Sequence, residues 1–254
     1  MKIAYDDVCG IARIVSEAGD PRLDRSVTAR KRAFVEGLAR LVNADVYVWS
    51  QAVINPDVPG DVMTTSLIDG GWRDEQQQTL VYQALTNLPF ATEMQAEFIK
   101  AAVGDVPKTF VRGELLKEDR WKEIRGVWEE TGLDFLLMYA YPLGKGNFSA
   151  VGLHRQQGKP DFSAQETAIV ELALGHVDWL HQRQADDAVN ESVVQLSPRQ
   201  RQVLMMLLAG QSLKEIARQL DLSDHTVGDY VKQLHKLFDV ASRAELQARF
   251  FLDL

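Results

Sequence analysis

The sequence predicts two architectures in one chain: an α+β unit whose antiparallel sheet is flanked by helices, then an all-α unit of four short helices. Three observations carry this. Residues 45–54, 62–68, 133–141 and 148–154 are rich in β-branched, aromatic and other apolar side chains, and helical spacings lie between the second and third of them. From residue 196 onward the apolar positions repeat at helical spacing only, each run opening just after a serine. Charge divides at the same place: residues 1–195 hold 20 basic and 29 acidic side chains, residues 196–254 hold eight and seven.

At 254 residues and a formal net charge of −8, each unit has enough chain to bury a core of its own. The lone cysteine, Cys9, excludes an intramolecular disulfide framework and fits a reducing compartment. No apolar run reaches the roughly 20 residues that span a bilayer. Asp6 and Asp7 precede any apolar stretch, unlike a secretory signal. The expected location is cytoplasmic. No internal repeat or low-complexity tract is present. A polar stretch around Gln184 to Gln195 reads as a linker, dividing the chain into 1–184, 185–195 and 196–254.

In the first unit, Phe34, Leu38 and Leu41 mark a helix over 26–42. A strand over 45–54 carries Val46, Tyr47, Val48, Trp49, Val53 and Ile54. Asn55-Pro56-Asp57 and Pro59-Gly60 punctuate it before a second strand at 62–68. Helices are expected at 72–86, 92–103 and 120–131. Residues 133–141 form a nearly continuous apolar run of strand length. The turn at 143–147 joins it to a hairpin partner at 148–154. Residues 163–184 read as one long closing helix, with Ser163 and Glu166 at capping-box spacing and Ile169, Leu172, Ala173, Val177 and Leu180 on one stripe.

The second unit reads as helices at 198–209, 213–220, 224–238 and 243–252. Ser197, Ser212, Ser223 and Ser242 stand before them, and Gln200, Glu215 and Glu245 follow three of these by three residues, the reciprocal cap of free amides. Pro198 falls at a first helical position, where a missing N–H costs nothing. Gly210 stands where a left-handed residue ends a helix. Ile216, Ala217, Leu220, Leu222, Val227 and Tyr230 or Val231 have the spacing of two short helices crossing steeply, with Ala217 small at the crossing. Asp221-Leu222-Ser223 is the intervening turn. Asp221 takes the place usual for Gly, and Asp tolerates a left-handed backbone. This is a helix-turn-helix pattern, with 224–238 as the helix that would enter a DNA major groove.

The run Leu196-Ser197-Pro198-Arg199-Gln200-Arg201-Gln202-Val203-Leu204, then Gly210, Lys214-Glu215-Ile216-Ala217, Leu222-Ser223, Thr226-Val227, Leu237, Val240 and Ser242-Arg243, resembles the LuxR-type helix-turn-helix domain. The family usually has Glu at Gln200, His at Tyr230 and a basic or polar residue at Gly228. The resemblance implies double-stranded DNA as partner and places Gly228, Asp229 and Lys232 toward bases. Lys214, His225, Thr226, Lys232, Gln233, Lys236 and Arg243 are candidate contacts to phosphate and bases. Val227, Val231, Leu234 and Phe238 form the opposite, core-facing stripe. With eight basic against seven acidic side chains this unit should bind DNA weakly alone, so a homodimer is expected. The plain alternatives are a helical docking domain or a fragment resembling a sigma-factor DNA-binding region.

The segment Val151-Gly152-Leu153-His154-Arg155 through Pro160-Asp161-Phe162-Ser163-Ala164-Gln165-Glu166 resembles the end of GAF-like sensor domains, with PAS-like domains as relatives of the same kind. Acyl-homoserine-lactone receptors place Trp and Tyr four apart early in the sheet, followed by Asp-Pro. Here Val53 follows Trp49 by four, and Asp20-Pro21 lies far upstream, so lactone sensing is unsupported. Tyr47, Trp49, Trp72, Tyr82, Trp121, Phe135 and Tyr139, with Trp128 and Tyr141, could line a pocket for an apolar or aromatic small molecule, or simply fill a core.

Motifs for nucleotide, zinc-protease and serine-hydrolase chemistry are missing, so no enzyme and no cofactor are expected. His176 and His181 are five apart and share no helix face, so no metal site is expected either. The sequence therefore predicts a regulator whose first unit controls a DNA-reading second unit. The contrasting reading is a ligand-independent interaction protein whose first unit docks a protein partner.

Overall fold

A computed structural model describes residues 3–22, 26–54, 62–86, 104, 106–115, 118–144, 147–182, 196–208 and 210–250. Five strands, β1 (Val46–Ile54), β2 (Val62–Gly70), β3 (Lys108–Val111), β4 (Leu133–Gly144) and β5 (Asn147–Gln156), form one antiparallel sheet in the order β2-β1-β5-β4-β3. Side chains alternate across it, as a strand's period of two requires. Along β5, Phe148 and Ala150 enter one core, while Val151 and Leu153 enter the other. Along β4, Leu136 and Ala140 oppose Leu137 and Tyr139 in the same way.

The first core lies between the sheet and α1 (Tyr5–Gly19), α2 (Val27–Leu41), α6 (Ala164–Leu174) and α7 (Asp178–His181). The second lies under α3 (Glu75–Thr86), α4 (Arg112–Leu115) and α5 (Glu118–Thr131), and is built on Val81, Phe110, Leu115, Trp121, Trp128 and Leu133. Arg155, 2% exposed, fastens the first core. Its guanidinium donates to the carbonyls of Val42, Asn43, Pro160 and Asp161, pairs with Glu166 and lies over the Phe162 ring. The end of α2, β5 and the start of α6 are thereby tied through one buried charge whose donors are satisfied.

Several elements differ from the sequence expectation. The helix α1 is an addition to it, although Asp6 and Asp7 occupy its first turn and Ile11, Ile14 and Ala18 face the core at helical spacing. It approaches α2 closely: a Cβ at Gly10 would lie 2.5 Å from Leu41 Cδ2, and one at Gly37 would lie 2.6 Å from Ile14 Cγ2. The four-residue β3 is too short to show a period, and pairing with β4 alone makes it a strand. The helix expected over 92–103 lies outside the described residues.

The long helix expected at 163–184 is interrupted. The capping box of Ser163 and Glu166 forms, but α6 stops at Leu174, and the chain turns through Gly175, His176 and Val177 before α7. The break brings His181 back so that its Nε2 lies 3.1 Å from the freed Leu174 carbonyl. A capped carbonyl and a buried ring replace one more turn of helix.

Residues 196–250 carry α8 (Pro198–Leu208), α9 (Leu213–Leu220), α10 (Asp224–Leu237) and α11 (Arg243–Phe250). Their core of Leu196, Val203, Leu204, Leu207, Ile216, Ala217, Leu220, Val227, Leu234, Phe238 and Leu246 shares no residue with the other two. Among the described residues no helix is long and apolar enough to cross a membrane.

Candidate functional site

The helix pair α9–α10 is fixed at both ends by local chemistry. Ser212 accepts from the Glu215 amide, and Glu215 accepts from the Ser212 amide at 2.7 Å, so two otherwise free donors are satisfied reciprocally. Ser212 Oγ also donates to Glu215 Oε2 at 2.7 Å, and this bond first, then the Ser212 amide, holds the Glu215 carboxyl below its usual range. Asp221 then ends α9 at φ 52°, ψ 51°, the left-handed conformation its side chain tolerates. Leu222 tucks against the core, and Ser223 caps α10 by accepting from the Thr226 amide at 3.0 Å. Gly210 takes φ 88° just past α8, as a helix end favours.

Val227, Leu234 and Phe238 are buried and Val231 is half-buried, so α10 turns its other face outward. That outward stripe contains His225, Gly228, Asp229, Lys232 and Lys236. Lys232 Nζ donates to Asp229 Oδ1 at 3.1 Å, and His225 Nδ1 lies 3.1 Å from Asp229 Oδ2. Lys232 lowers the Asp229 pKa most, with His225 adding to it, so the carboxylate stays ionised. A Cβ at Gly228 would meet nothing within 4 Å. Glycine in a helix interior costs about 1 kcal/mol relative to alanine. No neighbour among the described residues requires it there.

The other candidate contacts occupy different places. Lys214 is exposed in the first turn of α9, and Thr226 is half-buried beside Ser223. Gln233 accepts from Gln200 Nε2 at 2.9 Å, which links α10 to the start of α8. Arg243 is half-buried: its Nη1 donates to Gln211 O and its Nη2 to Leu207 O, closing the end of α8. Its charge helps satisfy carbonyls that a helix end leaves free.

The seven aromatic candidates do not converge on one cavity. Tyr47, Trp49 and Tyr139 belong to the first core. Trp121 belongs to the second, with Trp72 packed against it. Tyr82 donates to Asp69 Oδ2, which also accepts from Trp72 Nε1 and Gln78 Nε2, all at 2.7 Å. Phe135 packs against the first core and also lines a small cleft with Arg112, Trp121, Trp128, Leu133, Asp134, Leu136 and His154. Arg112 lies 4.0 Å from the Trp121 ring centre and pairs with Asp134 at 2.7 Å. Sequence patterns do not single out Arg112, Asp134 or His154. Only pairing of β4 with β3 and β5 brings them together.

A second polar cluster is buried in the first core. His181 Nδ1 lies 2.9 Å from Ser149 Oγ, which accepts from Trp49 Nε1 at 2.8 Å, and the ring stacks on Tyr141 at 4.3 Å. Burial pushes the pKa of His181 and of His154 down to about 4, keeping both rings neutral. Burial also pushes Lys31, whose Nζ lies 5.5 Å from the Trp49 ring centre, down to about 8. Tyr47, donating to Glu36 at 2.9 Å, is pushed up to about 12, chiefly by burial. Among the described residues no group of His, Cys, Asp or Glu is placed to hold a metal ion.

Residues 194–249 match the family of bacterial regulatory proteins called the luxR family, so the C-terminal region is a helix-turn-helix domain of that family. YhjB of Escherichia coli (strain K12), a curated relative named among HTH-type transcriptional regulators, is 44% identical over 50 residues. That match spans 20% of this chain and 25% of the relative. Among solved structures, Escherichia coli SdiA is 12% identical, with 95% of both chains covered and a TM-score of 0.43. SdiA in complex with octanoyl-rac-glycerol is 14% identical, with 98% and 96% covered and a TM-score of 0.42. The VqsR LBD domain of Pseudomonas aeruginosa is 13% identical, covering 70% of this chain and 94% of that one, with a TM-score of 0.46.

Proposed function

We propose that this chain is a transcriptional regulator that reads double-stranded DNA as a homodimer, with α10 in the major groove. The observation that carries the reading is the outward stripe of α10. It presents His225, Asp229, Lys232 and Lys236 around a glycine that no neighbour among the described residues requires, within a region matching the luxR family. A helix freed of a side chain at that point can approach base edges closely. Residues 196–254 act as the DNA-reading unit, 185–195 as linker, and 1–184 as a cytoplasmic sensor of the GAF or PAS kind that controls it. The separate core of residues 196–246 and the helix-flanked antiparallel sheet support this division.

The cleft beside Arg112, Trp121, Trp128 and His154 is the site we assign to a small effector. Its walls are mainly apolar, and its polar groups are few. The effector would bind the folded state alone, so metabolite fractions containing it should raise the melting temperature.

Selection of bound DNA from a random pool by the full-length protein tests the main reading. One recognition helix reads few bases, so the enriched sites should be inverted repeats with half-sites about one helical turn apart. A short asymmetric site would refute the dimer, and a pool without enrichment would refute DNA reading itself.

A further inference from the structure

We infer that Asp229 and Lys232 act together as a single reader of one base pair, a G·C pair with guanine on the Lys232 side and cytosine on the Asp229 side. This rests on the DNA-reading function proposed above.

Asp229 is the one acidic residue on a stripe that also holds His225, Gly228, Lys232 and Lys236. A carboxylate carried toward phosphates is repelled, so its place on that stripe needs a compensating partner. Within the chain, Lys232 Nζ and His225 Nδ1 each stand 3.1 Å away, and the Lys232 ammonium neutralises it in part. The remaining partner is on the DNA. The only amino group that cytosine presents in the major groove is N4, a donor that Asp or Glu accepts from. Guanine O6 and N7 beside it are acceptors suited to Lys.

The spacing supports reading both at once. Lys232 Nζ and Asp229 Oδ1 are 3.1 Å apart, a donor beside an acceptor. In a G·C pair, O6 and N4 are joined by their own hydrogen bond at about 2.9 Å, an acceptor beside a donor. Laid edge to edge, Nζ meets O6 while Oδ1 meets N4, and the ion pair need not open. The open space around Gly228 on the preceding residue admits the base edge. Orientation follows from the same match. A reversed C·G pair sets Lys232 against an amino group and Asp229 against a carbonyl oxygen, two repulsive contacts. A T·A pair keeps one acceptor and one donor, but the thymine methyl replaces the guanine N7 that the other Lys232 protons would reach.

The test uses the full chain and its Asp229→Ala and Asp229→Asn variants. The variants change an exposed side chain and leave the core of α10 intact. Each is put through selection from a random pool, then binding to the wild-type site and to random DNA. Wild type should enrich one oriented G·C pair per half-site. Asp229→Ala should lose that preference, weaken the specific site by about ten- to a hundredfold, and hold random DNA as tightly as wild type or more tightly. Asp229→Asn should move the cytosine position toward adenine, because an amide both donates to N7 and accepts from N6. Variants that return the wild-type motif at wild-type affinity overturn this inference while DNA reading stands. A wild-type pool without any motif overturns both.

Discussion

Lys232 turns away from the core stripe of α10 and follows Gly228 by about one turn, which under the proposed DNA-reading function makes it the nearest long donor to the base edges. Lys232→Ala should therefore lose affinity mainly on the specific site, by about 1–3 kcal/mol, with unchanged circular dichroism. Equal losses on specific and random DNA would make it a phosphate contact. The buried histidines give the second prediction. His154 and His181 have folded pKa values near 4, against about 6.5 in an unfolded chain. Between these values the unfolded chain binds more protons, so their contribution is intact above pH 6.5 and lost as pH falls toward 4. Urea midpoints should fall across that window, and neither imidazole should titrate by NMR between pH 7 and 5. Lys31 works against stability: its folded pKa of about 8 lies below the unfolded one, so the full cost of burying the ammonium is present below pH 8. Lys31→Met should stabilise the protein at pH 7 by on the order of 3 kcal/mol. A lower melting temperature for that variant would show that the amine is paired.

At the scale of elements, the helix-turn-helix is held by its turn as much as by its core. Asp221 is left-handed at φ 52°, a conformation that β-branched residues tolerate poorly and glycine adopts freely. Asp221→Val should destabilise the domain by about 1–2 kcal/mol, whereas Asp221→Gly should be neutral or slightly stabilising. Thermal unfolding of both variants would check this, and equal melting temperatures would locate the turn's rigidity elsewhere. The turn is legible in the amino-acid sequence because it depends on nearest neighbours: a cap, a left-handed residue and a small residue at a crossing. The break between α6 and α7 is illegible there for the opposite reason. Val177 and Leu180 continue the apolar stripe of α6, and nothing local announces that Ser149, on a distant strand, will receive His181.

For the whole molecule, the informative fact is that residues 196–246 have a core of their own. A fragment spanning about 192–254 is expected to fold and to bind DNA weakly, since one copy makes few phosphate contacts and carries nearly balanced charge. Circular dichroism without helical signal would place the boundary elsewhere. The homodimer proposed for the full-length chain should bind more tightly, with a steeper dependence on salt, because two subunits release more counterions.

The sequence by itself determined where helices of the second unit start, which face of α10 is core, and which segments form the four longer strands. These depend on period, capping and turn chemistry, interactions within a few residues of each other. Only the tertiary structure decided which aromatics share a cavity. Tyr47, Trp49 and Tyr139 went to one face of the sheet, because strand register and the alternation of side chains assign faces, and Trp121 went to the other with α5. It likewise decided that Arg243 closes a helix end, that Arg155 binds five acceptors, and that Arg112, Trp128 and His154 border one cleft. Each of these contacts joins residues far apart in the chain, and their partners are named only when the backbone has closed on itself.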